Sequence, residues 1–498
     1  MDRKTLAQTE PQEEQKLNQA AGISGLNEVA ISDAPPSPVT AQELPKPQDL
    51  SFNKFRPTKK RFSSVYAIVF LALVILGGLI FVAWKYNSKV PRMIGVKGEV
   101  VWWGMGIDEE LVSPLIKEYE EKNPNVKIKF VKQSPQDYRE RLINALTKGE
   151  GPDIFRIHNS WAPMFRDELD TVPSSIMTSE EYTKTYYPII ASDMRSTNGY
   201  VGIPLEYDAL TLFINEDIFV SAGKSPPATW DELRVLANEL TTRDQYQTVI
   251  QSGVALGKTG NVDHWPEILA FMMIQNGVNM ANPTGKVAED AIKYYSAFTT
   301  TDRVWNDTLQ PSTIAFSEGK LAMYLAPAWR ANDVRKLNPN LRFRTTLLPQ
   351  LRKDDPNAPD TSYATYWVEG VWKRSGNRDL AWSFLRFLST KESLEKLFKN
   401  ASDVGKIAFI YPRIDMSELL IDHPIAGSVV GLAPEAKSWY LASSTNDGPT
   451  GINTQLAKVF EKLIKTANQR QANVREALKL TSADVIKILS QYQIVSAP

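Results

Sequence analysis

The 498-residue sequence contains no cysteine and only three histidines. Without thiols it can form neither a disulfide nor a thiolate metal site, and it offers no cysteine to carry a lipid. His158, His264 and His423 show no metal-ligand spacing, so neither zinc nor any other cofactor is expected. An excess of either charge is missing too, with 57 Lys+Arg against 57 Asp+Glu. Nucleic-acid binding needs a basic face, so it is not expected, and the balance points to a neutral or mixed-charge ligand.

Charge is absent altogether from residues 62–84, FSSVYAIVFLALVILGGLIFVAW, between Arg61 and Lys85. As a helix this stretch would reach roughly 34 Å, enough to cross the hydrocarbon layer. Tyr66 and Trp84 sit near its ends, where amphipathic rings favour the headgroups. A buried core helix rarely runs so long without a polar face. A cleaved signal peptide fits poorly, because a sixty-residue charged region precedes the run and no small-x-small site follows. The run is expected to be a single membrane anchor.

Lys54, Arg56, Lys59, Lys60 and Arg61 crowd its N-terminal side, which predicts a cytoplasmic tail and a C-terminal part outside the cytoplasm, extracellular or periplasmic. The tail, residues 1–61, is polar and proline-bearing without apolar periodicity, and is expected to be disordered. Residues 85–97 read as a stem. The 414 residues from Lys85 onward are too many for one small core and suit two or three domains.

Glu99-Val-Val-Trp-Trp103 reads as a strand, and Val112, Leu115, Ile116 and Tyr119 recur at helical spacing. Val126, Ile128 and Phe130 alternate with lysines as a half-buried strand. Ser134-Pro-Gln-Asp137 is a helix-start signature before Tyr138, Leu142 and Leu146, and a third strand covers residues 153–157. This alternation predicts an α/β lobe with parallel strands, whose ligands bind outside the strands' carboxyl ends. Two such ends carry Trp102-Trp103-Gly104 and His158-Asn159-Ser160-Trp161, groups suited to a ligand with apolar faces and hydroxyl edges. Strand alternation turns one of Trp102 and Trp103 into the core.

Several segments carry a resemblance. They are Gly151-Pro-Asp-Ile-Phe155 and Tyr200-Val-Gly-Ile-Pro-Leu-Glu-Tyr-Asp-Ala-Leu-Thr-Leu-Phe-Ile-Asn215, then Pro226-Pro-Ala-Thr-Trp-Asp-Glu-Leu233, Phe316-Ser-Glu-Gly-Lys-Leu-Ala-Met323 with Trp329, and Ala381-Trp-Ser-Phe-Leu-Arg-Phe387. Together, over about residues 98–480, they resemble the extracellular solute-binding proteins of ABC importers, in the maltose-binding-like family. The resemblance implies an α/β, two-lobed periplasmic-binding-protein-like (type II) fold that closes about a cleft by hinge motion. Lobe 1 would comprise 98–206 and 361–403, and lobe 2 would comprise 207–360 and 404–498, with residues 204–208 as a hinge crossing. It implies a monomer that takes a small sugar-like solute and meets ABC permease subunits.

Carried over by this resemblance, the loop after Gly-Pro-Asp-Ile supplies His158, Asn159 and Trp161, and the hinge carboxylate is Asp208, beside Glu206. Trp265 and Trp329 match aromatic positions of the second lobe, and Arg330 adjoins Trp329. Tyr366 and Trp367 lie on the returning strand, where one is expected in the core. Trp103 and Trp439 complete the candidates. The charged pair that maltose binders carry after the first strand is absent, and Gly104-Met105-Gly106 stands there instead. A glycan hydrolase built on Glu206 and Asp208 is the rival class, but residues two apart on a strand share a face rather than straddle a bond. A glycan receptor without transport is a third reading.

Overall fold

The structure, a computed structural model, describes residues 97–352, 357 and 359–495. All of them belong to one unit of the chain, Gly77–Pro498. The expected tail, the apolar run 62–84 and nearly all of the stem lie outside the described residues. Among the described residues no helix is long and apolar enough to cross a membrane.

In chain order the strands are β1 (Gly98–Met105), β2 (Val126–Gln133), β3 (Ile154–His158), β4 (Arg195–Ser196), β5 (Gly199–Tyr200), β6 (Leu210–Asn215), β7 (Thr242–Arg243), β8 (Val249–Val254), β9 (Leu321–Pro327), β10 (Phe343–Thr346) and β11 (Trp367–Val371). A four-stranded sheet has the order β11-β3-β1-β2, and a five-stranded sheet the order β10-β6-β9-β8-β7. In the first, β1 runs parallel to β2 and β3, and β11 returns antiparallel on β3.

Position in the sheet explains the sequence of each strand. β2 stands at an edge and alternates, with Val126 and Ile128 buried and Lys127 and Lys129 exposed. β6 and β9 are interior and buried along their whole length, which suits the unbroken runs LTLFIN and LAMYLAP. The helices lay apolar faces on these sheets. Helix Arg378–Leu388 buries Leu380, Trp382, Phe384, Leu385 and Leu388. Inside that core Trp102 meets Phe130 and Phe384 edge-on, at centroid distances of 4.9 and 5.8 Å.

One expected helix start differs. Helix Tyr138–Lys148 follows Asp137, whose φ of 51° is left-handed and whose side chain caps nothing. Arg141 instead reaches back to the carbonyls of Ser134 and Gln136, tying down the turn that a capping box would have tied. Helix Trp230–Glu239 does start on a capping arrangement of this kind. Thr229 Oγ1 accepts the Glu232 N–H at 3.2 Å, and Glu232 Oε2 accepts the Ala228 N–H at 2.7 Å.

Four chain segments run side by side between the sheets. Ala209 bridges Ala364, Tyr363 bridges Lys437, and the Tyr207 N–H donates to the Ile410 carbonyl at 2.8 Å. These passages put side chains from distant parts of the sequence around one space.

Candidate functional site

A cavity of about 330 Å³ opens where the carboxyl ends of β1, β3 and β9 face each other. From the first sheet come Met105, Arg156 and His158, with Trp367 at the start of β11. Glu206 and Asp208 enter from the first passage, and Trp329 and Glu267 from the second sheet and its helices.

Asp208 is a clasp. Its Oδ1 accepts the backbone N–H of Ala209 at 2.7 Å and of Ala328 at 3.0 Å, and its Oδ2 accepts that of Trp329 at 3.0 Å. Burial pushes its pKa up to about 7 against the pull of those donors. Because the clasp holds the Trp329 backbone, the indole stands where the apolar strand β9 gives way to helix Arg330–Leu337. Trp329 is half-buried and lines the cavity. The Arg330 guanidinium lies 4.2 Å from the ring centroid and His264 meets the ring edge-on, which fixes the indole's orientation.

Across the cavity Arg156 is 97% buried, ion-paired with Glu206, and 3.8 Å from Glu369. Burial raises Glu369 to about 7 despite Arg156, and neither of its carboxylate oxygens has a hydrogen-bond partner. His158 is neutral, because burial, and then Arg156, lower its pKa to about 3. Its ring contacts Ser160 Oγ at 2.7 Å and Thr365 Oγ1 at 3.0 Å and stands edge-on to Trp367.

A relay runs behind Trp329. Arg330 Nε–H donates to His264 Nε2 at 2.8 Å, and His264 Nδ1 lies 2.9 Å from Ser443 Oγ. Ser443 in turn donates its hydroxyl at 2.9 Å and its N–H at 2.6 Å to Glu267 Oε1.

His158, Glu206, Asp208 and Trp329 therefore meet around one cavity. Trp103, Trp161, Trp265, Arg330 and Tyr366 do not line it. Trp161 is fully buried, stacks on Tyr138 and Phe165, and donates Nε1–H to Asn453 at 3.1 Å. Trp103 is half-buried against the core while Trp102 beside it is fully buried. Trp265 opens a helix and is 8% exposed. Of the pair on the returning strand, Trp367 lines the cavity, and Tyr366 is buried with its hydroxyl on Asp193 at 2.9 Å.

Asn159 and Trp439 line a different cavity, of about 640 Å³, together with Asp193. Asp193 also accepts from Asn159 at 2.9 Å and Ser438 at 2.6 Å, and burial raises its pKa to about 6.

Sequence reasoning overlooked Arg156, Glu267 and Ser443. Two of them carried a signal. Arg156 is the one full charge in the buried strand IFRIH, and Glu267 is the one charge in the helix WPEILAFMMIQ. A lone charge in an otherwise apolar buried element is retained only with partners or a purpose.

Two α/β sheets joined by passages around a polar cleft with aromatic walls define a ligand-binding protein. A family model described as bacterial extracellular solute-binding protein matches residues 114–407. The chain belongs to that family, and its function is to bind a solute. A putative binding protein of Brucella abortus is 22% identical over 298 residues, covering 57% of this chain and 69% of that one. The maltotriose-binding protein of Pyrococcus abyssi is 22% identical over 345 residues, 66% of this chain and 70% of that one. Among solved structures, an ABC transporter solute-binding protein of Thermotoga lettingae bound with α-D-tagatose superposes with a TM-score of 0.60 at 19% identity. That likeness covers 79% of this chain and 100% of that one, and shows the fold.

Proposed function

We propose that the chain captures a sugar or oligosaccharide outside the cytoplasmic membrane and presents it to the permease subunits of an ABC importer. The observation that carries this reading is the half-buried Trp329, held at a strand end by Asp208 and facing the cavity shared with Trp367 and His158. An indole face with fixed carboxylate, hydroxyl and imidazole groups around it matches the apolar faces and hydroxyl edges of a sugar ring. The sugars named for the Pyrococcus and Thermotoga proteins support the same class.

In this reading the lobes 98–206 with 361–403 and 207–360 with 404–498 close about the cleft, and the passage at 204–208 is part of the hinge. Residues 62–84 anchor the chain in the membrane, the tail stays inside, and the protein acts as a monomer without a cofactor. No catalytic role is assigned, because Glu206 is engaged with Arg156 and Asp208 with three backbone donors. A thermal-shift screen of the full chain in mild detergent against a carbohydrate library tests this. A sugar that binds only the folded state raises its melting temperature by mass action. A library without a single shifting member overturns the reading.

A further inference from the structure

The carboxylates lining the cleft cavity are Asp108, Glu206, Asp208 and Glu267, and the cations lining it are Arg156 and Lys406. Both cations are already engaged, Arg156 by Glu206 and Lys406 by Asp108. Asp208 is satisfied by three backbone N–H groups. Glu267 stands apart. It is fully buried, its Oε1 takes both Ser443 donors, and its Oε2 has no hydrogen-bond partner.

The neighbouring histidine does not neutralise it. Arg330 Nε–H can only donate, so His264 Nε2 is an acceptor and bears no proton. The ring is therefore neutral, with its proton on Nδ1 directed to Ser443 Oγ, and the 3.7 Å approach to Glu267 is not an ion pair. Arg330 itself is paired with Asp333 at 2.7 Å and lies against the Trp329 ring. Among the described residues no cation lies within ion-pair distance of Glu267. A buried carboxylate left with a bare oxygen is costly, and a ligand bringing a donor or a positive charge relieves that cost.

Resting on the sugar-binding reading above, we infer that the solute carries a primary ammonium, that Glu267 is the carboxylate that selects it, and that phosphorylated sugars are rejected. Glu267 and Trp329 both line this cavity, so an ammonium bound there has a carboxylate and an indole in the same wall. A phosphate would meet uncompensated negative charge instead, since both lining cations are already paired.

The test is titration calorimetry on the full chain in detergent at pH 7 with three probes. They are a β-1,4-linked glucosamine disaccharide, its neutral counterpart cellobiose, and glucose 6-phosphate. The expected result is that the amino disaccharide binds at least tenfold more tightly than cellobiose, with no detectable binding of the phosphate. Glu267→Gln, which keeps the acceptor for Ser443, should abolish the tenfold preference of the amino disaccharide over cellobiose. Cellobiose or the phosphate binding as tightly as the amine in the unaltered protein overturns the inference and leaves the sugar reading standing. A preference that survives Glu267→Gln removes Glu267 as its source. Absence of any binding by all three probes and by the carbohydrate library overturns both readings.

Discussion

Trp329→Ala separates a ligand platform from a structural tryptophan. The indole is half-buried, is covered on one side by Arg330 at 4.2 Å, and lines the cavity. Stacking of a flat ligand on an aromatic face is worth about 1–3 kcal/mol by analogy with bases on aromatic platforms. Loss of the ring should therefore weaken a bound sugar by roughly 5- to 150-fold. Its backbone clasp to Asp208 survives the substitution, so the fold should lose well under the ~3–5 kcal/mol typical of deleting a buried tryptophan. Trp161→Ala supplies the comparison. Trp161 is fully buried between Tyr138 and Phe165, and its removal should cost about that full amount and lower the melting temperature by several degrees. The assay is melting of each ligand-free variant, followed by titration with a sugar that binds the unaltered protein. A Trp329→Ala protein that melts as low as Trp161→Ala yet binds with unchanged affinity would refute the argument.

Further outcomes concern pH, topology and motion. Burial raises Glu369 to about 7, above its unfolded value near 4.5, so the folded state holds the proton more tightly and stability contributed by this group declines as pH rises from about 4.5 to 7. Glu369→Gln should flatten the fall by up to about 1.4 kcal/mol per pH unit relative to the unaltered protein, and parallel curves from denaturant titrations at several pH values would count against it. Protease added to intact cells should remove the large C-terminal part and spare the tail, whereas a processed soluble form would mean that residues 62–84 are a cleaved signal. Small-angle scattering should show a smaller radius at saturating sugar, and an unchanged radius would indicate a rigid binder.

The local chemistry of the chain by itself determined its secondary structure and class. The runs LTLFIN and LAMYLAP are apolar nearly throughout, which suits strands buried on both faces. The Val-Lys-Ile-Lys alternation had to be a strand wet on one side. Segments conforming to the solute-binding pattern named the family, and Trp329 and Asp208 were legible from their places in it. What the sequence could not determine is which chemistry-bearing groups share a space, since that depends on contacts between distant residues. Asp208 finds Trp329 across 121 residues, and Ser443 finds Glu267 across 176. Trp161 follows a strand end just as Trp329 does, yet the helix Ile452–Ala467 brings Asn453 onto its indole and buries it. Asn159 was drawn to Asp193 and a second cavity, although His158 next to it faces the cleft. The strand ends at His158 and the chain turns there into a short 3-10 helix, Asn159–Phe165, so only the packed sheets decide which of the two residues faces the cleft.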